Sequence, residues 1–198
     1  MTEALLVFVL AIGLGWPLGR YLAAVMRGEP MRVDPAFAWI ERPLYRLLGT
    51  DPRRGMTWRG YAKAFVLSNA VVGLAVWAMF MAQAWLPLNP DAIPNMRWDV
   101  ALHTMVSFLT NTNQQHYSGQ AQLSYLSQMT GIVGLQIITP MMGLALVVAT
   151  LRALIGGRQT VQAGGEPDVG NYYADTIRAT VRFLLPLVAW CFGAMALA

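Results

Sequence analysis

The sequence predicts an all-α integral membrane protein, and three observations support this fold class. Hydrophobic residues make up 56% of the 198 residues and charged residues only 12%, whereas soluble domains carry about 25% charged residues. Several charge-free stretches approach the roughly 20 residues that a membrane helix needs. Basic residues are concentrated in two of the connections between these stretches. A net charge of only +4 is too small to indicate a nucleic-acid partner, and the lipid bilayer is the expected environment.

Four stretches have the composition of membrane spans: 4–26, 64–90, 123–151 and 183–198. Arg20 interrupts the first, and Pro17 should kink it, which a membrane helix tolerates where neighbours satisfy the freed carbonyl. The second helix should end before Pro87. The fourth stretch has only 16 residues, so the sequence is expected to end inside a membrane helix, as a fragment would.

The distribution of Lys and Arg predicts the orientation. Residues 20–63 hold nine of the fourteen basic residues and residues 152–182 hold four, whereas 88–99 contain only Arg97. Basic residues accumulate on the cytoplasmic side of membrane proteins. The N-terminus and 88–99 are therefore predicted outside, and the two basic connections inside. This parity requires residues 100–122 to enter the membrane from the outside and return without crossing it.

The first basic connection is predicted to contain an interfacial helix. Asp34 followed by Pro35 is a helix-start signal, and apolar residues then recur at helical spacing, although Pro43 should kink or end the helix. A flexible connection is predicted from two glycine pairs: Gly156, Gly157, Gly164 and Gly165. The predicted organisation is an N-terminal transmembrane helix, a cytoplasmic loop, one helix–pore loop–helix repeat, and a connection into a further helix: 1–26, 27–60, 61–155 and 156–198.

Residues 110–119 read TNTNQQHYSG and lie in a run, Val100 to Leu151, that has no acidic or basic residue. Val100–Leu109 is too short to cross and fits a half-helix, with Asp99 as its N-cap. Such a helix would point its partly negative C-terminus at the membrane centre. Non-helical backbone at that depth must be buried in protein or line a watery cavity, where its carbonyls can replace the water around a cation. The alternative is a polar loop that caps two helices at the outer surface.

The stretch SFLTNTNQQHYSGQAQLSYLSQM resembles the first pore-loop motif of the potassium-transporting ATPase A subunit family, KdpA. The segments WPLGRYLA, LPLNP and GNYYADTIRATVRFLLPL also resemble this family. The resemblance implies one extra N-terminal helix followed by helix–pore–helix repeats of the potassium channel-like transporter superfamily. The chain would hold the extra helix, the first repeat and the first helix of the second repeat, about a third of a subunit.

The resemblance also implies a potassium site. Asn111, Thr112 and Asn113 fall on the family's filter positions, where backbone carbonyls bind K⁺, and their side chains should point away into the protein. Residues that would flank the filter complete the site: Thr110, Gln115, Tyr117, Ser118 and Gly119, the last as a turning point. The sequence departs from the family pattern in the stretch LQIITPMMG and at four positions nearer the filter: His103, Gln114, His116 and Gln120. We expect His103 to be a buried brace and His116 an interfacial hydrogen-bonding residue.

The implied function is that of a potassium-binding and translocating subunit of an ATP-driven uptake complex in the cell inner membrane. The sequence has neither a G-x-x-x-x-G-K-[ST] loop nor an aspartyl phosphorylation motif, so we expect no catalysis and no organic cofactor. By resemblance, ATP hydrolysis would belong to a KdpB-like P-type ATPase subunit, with KdpC-like and KdpF-like subunits completing the complex. Two alternatives remain open, a stand-alone homotetrameric potassium channel-like protein and a non-conducting truncated remnant.

Overall fold

The computed structural model describes residues 2–162 and 168–196, and the elements of this part are all helical. Eight α-helices follow one another: α1 Thr2–Arg27, α2 Asp34–Leu47, α3 Trp58–Ala82, α4 Trp98–Leu109, α5 Gly119–Gln122, α6 Gly134–Gln162, α7 Tyr172–Arg178 and α8 Leu185–Ala196. A 3₁₀ turn, Gln83–Trp85, ends α3. There are also two π-helical segments. Ser127–Val133 leads into α6, and Ala179–Leu184 joins α7 to α8.

Four helical segments of the described residues are long and apolar enough to cross a membrane: Glu3–Arg27, Trp58–Trp85, Ser127–Ile155 and Tyr172–Gly193. This confirms the predicted all-α membrane fold class. The second span ends before Pro87, as predicted. The fourth begins at Tyr172 rather than at Phe183, because the helix continues through a charged stretch whose Arg182 is buried and paired.

The chain divides into two compact units, and the first comprises Met1–Arg54 with Tyr173–Ala198. Its main polar feature is an ion cluster around Arg182. The guanidinium donates to both carboxylate oxygens of Glu41, at 2.6 and 2.7 Å, and to Asp34 at 2.6 Å. Tyr21 on α1 donates its hydroxyl to the Arg182 carbonyl at 2.6 Å. Burial, and then the Glu41 carboxylate, raise the pKa of Tyr45 to about 12, so this neighbouring phenol stays neutral at physiological pH.

The basic connections differ from expectation at a proline and at a pair of glycines. Pro43 was expected to kink or end α2, and it does not end the helix, which continues to Leu47. The carbonyl of Trp39 loses its helical donor there, but Trp39 is 73% exposed, so solvent can reach that side of the helix. Gly156 and Gly157 lie inside α6, since a glycine costs a helix only about 1 kcal/mol. The predicted Gly164–Gly165 connection lies outside the described residues.

The second unit, Gly55–Tyr172, has a hydrophobic core in which α3, α4 and α6 pack. Eight buried side chains form it: Val76, Phe80, Met96, Ala101, Met105, Phe108, Leu123 and Leu135. Glycines allow the close packing. A Cβ on Gly131 would overlap the Phe80 ring, and one on Gly73 would lie 3.0 Å from the sulfur of Met105. The core therefore holds α4 against α3 and against the helix that follows the polar segment.

Gln83 at the end of α3 organises the loops at this end of the second unit. Its side chain is fully buried. The amide nitrogen donates to the carbonyls of Pro94 at 2.7 Å and Gln122 at 2.9 Å, and the amide oxygen accepts from the Ser124 amide at 3.1 Å. One side chain thus joins the loop before α4 to the loop before α6. Its role was not predicted, and the available sequence signal was a lone amide in the otherwise apolar run 70–88.

Candidate ion-binding site

The site begins with α4, whose twelve residues span about 18 Å, too short for a hydrocarbon core of about 30 Å. The helix ends at Leu109, as predicted. The Asp99 N-cap prediction was wrong, because Arg97 is the extended residue at the cap and Asp99 lies in the first turn. There its carboxylate interacts favourably with the partly positive N-terminal end of the helix dipole. It also forms a salt bridge with Arg97 at 2.8 Å. The Trp77 indole fixes the same end by donating to the Trp98 carbonyl at 3.1 Å.

Ser107, in the last turn of α4, collects the amide groups of the segment that follows. Its carbonyl accepts from the backbone amides of Thr112 at 2.9 Å and Asn113 at 3.1 Å. Its hydroxyl accepts from the Gln114 amide at 2.7 Å. Three successive N–H groups are therefore directed at one buried residue. Polar groups away from water need such partners, and Ser107 supplies them.

The opposite side of this backbone carries carbonyl oxygens. In a trans peptide the C=O of one residue is antiparallel to the N–H of the next, and the described residues have no cis peptide bond. The carbonyls of Asn111, Thr112 and Asn113 therefore point away from Ser107. Asn111 and Asn113 have φ of 58° and 55°, with Thr112 between them outside the positive region. This alternation places successive N–H groups on one side of the backbone. Asparagine tolerates the left-handed conformation better than most residues do.

The side chains of these three residues behave differently from one another. The Asn111 amide oxygen accepts from the Thr139 hydroxyl on α6 at 2.8 Å, which matches the prediction that side chains point into the protein. Thr112 and Thr110 share a hydroxyl–hydroxyl bond of 3.0 Å. The prediction was wrong for Asn113, whose amide nitrogen donates to the Asn111 carbonyl at 3.4 Å. This contact is local, since it joins two residues that are only two positions apart in the chain.

The flanking residues fall around this segment. Tyr117 is half-buried and packs against the core of the second unit. Gln115 and Ser118 are exposed. Gly119 begins the short helix α5 and does not adopt a positive φ, so the chain does not use the left-handed region there. The left-handed conformations that reverse the chain are at Asn111 and Asn113 instead.

Two residues that shape the site were not predicted from the sequence, Ser107 and Thr139. The signal for Ser107 was a small hydroxyl residue in the last turn of a half-helix. Thr139 gave a weaker signal, a threonine directly before Pro140 in an apolar helix. Its hydroxyl lies within hydrogen-bond distance of the Asn111 side chain, the Phe108 carbonyl and the Leu135 carbonyl. Thr139 therefore ties the polar segment to α6.

Four candidate spans and a short helix that ends at a polar, non-helical segment define a multi-span helical membrane protein. The family described as "KdpA: Potassium-transporting ATPase A subunit" matches residues 5–197. The chain therefore belongs to the KdpA family, as the resemblance implied.

Curated relatives agree with this assignment, and each is described as a potassium-transporting ATPase potassium-binding subunit. The relative from Desulfovibrio desulfuricans is 42% identical over 185 residues, which are 93% of this chain and 30% of the relative. That from Alicyclobacillus acidocaldarius is 43% identical over 184 residues, 93% of this chain and 32% of the relative. The relative from Gloeobacter violaceus is 42% identical over 169 residues, which are 85% of this chain and 28% of the relative. The chain thus spans about 30% of the length of the relatives it matches.

Proposed function

We propose that this chain supplies part of the potassium path of a potassium-binding subunit. In this proposal the carbonyls of Asn111, Thr112 and Asn113 bind K⁺, with Thr110, Gln115, Tyr117, Ser118 and Gly119 around them. The observation that carries the proposal is the convergence of three amide groups on Ser107, which turns three carbonyls to the other side. The printed description of the relatives as potassium-binding subunits supports the choice of ion.

The electrostatics of the segment suit a monovalent cation that must bind and leave again. Carbonyl dipoles replace hydration water without a fixed counter-ion, and residues 100–151 contain no ionisable acid or base other than histidine and tyrosine. The C-terminal end of α4 adds a partial negative charge of roughly half a unit. Burying a full carboxylate instead would favour divalent ions and slow release. The composition of the segment therefore fits permeation better than tight storage.

The remaining parts of the proposal concern the assembly. The chain would lie in the cell inner membrane with its N-terminus outside, as the distribution of Lys and Arg predicts. It would itself be non-catalytic. ATP hydrolysis would occur on a KdpB-like P-type subunit, with KdpC-like and KdpF-like subunits in the same complex. K⁺ would be the transported ion.

A charge placed beside the carbonyls tests the proposal. Gln115→Arg, in a full-length subunit that carries this sequence, is expected to weaken apparent K⁺ affinity roughly fifteen-fold. A positive charge about 10 Å from the ion costs about 1.7 kcal/mol at an effective dielectric constant of about 20, and 1.4 kcal/mol corresponds to about ten-fold. The measurement is the K⁺ dependence of ATPase activity in the reconstituted complex.

Gln115→Glu is the matched control, since it changes the sign of the added charge at almost constant shape. We expect its K⁺ affinity to be equal to or higher than that of the parent protein. Equal losses in both variants would show that the position matters for packing rather than for cation electrostatics, and would count against the proposed site.

A further inference from the structure

The only two histidines of the chain lie against each other beside the polar segment. His103 is on α4, six residues before its last residue, and His116 is three residues beyond Asn113. The chain reverses between them, so positions at similar distances from the reversal meet. The ring centroids are 4.6 Å apart and the ring planes are tilted by 41°. His103 is exposed, so the expectation that it is a buried brace was wrong. Its ring faces His116 rather than the core.

Neither imidazole has another polar partner within the described residues, 2–162 and 168–196. Each neutral imidazole carries one nitrogen with a free lone pair, which is a good ligand for Zn²⁺, Cu²⁺ and Ni²⁺. The pair therefore presents two nitrogen ligands, one from α4 and one from the segment after Asn113.

We infer that His103 and His116 together bind a divalent transition-metal ion. Zn–N bonds of about 2.0–2.1 Å place the centroids of two rings on one tetrahedral metal about 5 Å apart, which is close to the observed separation of 4.6 Å. No group of three or more His, Cys, Asp or Glu side chains suited to a metal occurs in the described part of the chain, so the proposed site has these two imidazoles as its side-chain ligands. Asp99, one turn before His103, is held by Arg97.

A metal at this position would join α4 to the segment after Asn113. The consequence for transport rests on the proposed function, whereas the binding itself does not. A divalent charge near the proposed carbonyl site would repel an approaching K⁺. We therefore expect external metal to raise the K⁺ concentration needed for half-maximal ATPase activity in the full-length complex.

The binding test uses the 198-residue chain, purified without a polyhistidine tag, in lipid nanodiscs and titrated with Cu²⁺, the tightest binder among these ions. We expect one Cu²⁺ per chain, with an electron paramagnetic resonance spectrum that shows coupling to two imidazole nitrogens. His103→Gln and His116→Gln should each weaken binding at least ten-fold and leave one coupled nitrogen. Gln120→Asn is the control and should bind as the parent does. Circular dichroism checks that each variant keeps its helix content.

Two results would overturn the inference. One is unchanged Cu²⁺ affinity in both histidine variants, and the other is a parent spectrum without two coupled nitrogens. A metal site that disappears in the variants, in a complex whose ATPase activity shows no K⁺ dependence, would support the inference and contradict the proposed function. Metal binding and potassium dependence are therefore tested separately.

Discussion

Arg182→Leu is expected to destabilise the chain by about 3–5 kcal/mol, the cost of removing one partner from a buried ion pair. The Arg182 side chain is 11% exposed and that of Glu41 only 5%. Without the guanidinium, the Glu41 carboxylate would remain buried beside Asp34 with no opposite charge bonded to it. Since Arg182 also links α2 to the Ala179–Leu184 segment, its loss should weaken the first unit as a whole.

Thermal unfolding in detergent, followed by circular dichroism, measures this effect. Arg27→Leu is the control, because its pair with Glu29 is exposed and pairs of that kind contribute about 0–1 kcal/mol. The double variant Glu41→Leu with Arg182→Leu should recover much of the lost stability, since no buried charge is then left unpaired. A double variant as unstable as Arg182→Leu alone would contradict this explanation.

Asn113→Val is expected to reduce K⁺ affinity at least ten-fold in a full-length subunit. Asn113 has φ of 55°, a left-handed conformation that costs an ordinary L-residue about 1–2 kcal/mol and that a β-branched residue rarely adopts. Valine should therefore push the backbone back to negative φ. That change rotates the peptide between Thr112 and Asn113, whose N–H group donates to the Ser107 carbonyl. At least one carbonyl then turns away from the proposed site.

Asn113→Gly separates backbone geometry from side-chain chemistry. Glycine adopts positive φ readily and removes only the 3.4 Å contact to the Asn111 carbonyl. We expect it to retain K⁺ affinity within about three-fold, while the valine variant loses it. The measurement is ⁸⁶Rb⁺ binding to the purified protein. If glycine impairs binding as much as valine, the side chain of Asn113 rather than its backbone is the functional element.

Much of the fold could be predicted because membrane spans and short half-helices have strong signals. Length, absence of charge and proline position located the spans, and the same reasoning placed the end of α4 at Leu109. Helix boundaries near charges were less predictable. The span that starts at Tyr172 contains a buried arginine, and only tertiary pairing with Glu41 and Asp34 explains why a helix can include it. That α2 continues past Pro43 has a related reason, since the cost of a proline inside a helix depends on whether solvent can reach the Trp39 carbonyl that loses its donor.

The candidate site was predictable in its location but not in its geometry. The absence of charge around TNTN indicated backbone oxygens, and the family resemblance indicated which residues supply them. The roles of Ser107 and Thr139 depend on hydrogen bonds between parts of the chain that sequence spacing does not relate. The pairing of His103 with His116 likewise follows from the reversal at Asn111 and Asn113, which neither histidine signals by itself.

Anomalous X-ray diffraction from Rb⁺-soaked crystals of a full-length subunit that carries this sequence would locate the bound ion. Rb⁺ substitutes for K⁺ and is located without reference to the protein density. We expect an anomalous peak within about 3 Å of the Asn111, Thr112 and Asn113 carbonyls, on the side opposite Ser107, since carbonyl oxygens replace the ion's hydration shell. A peak elsewhere in an occupied subunit, with these carbonyls bonded only to protein, would contradict it.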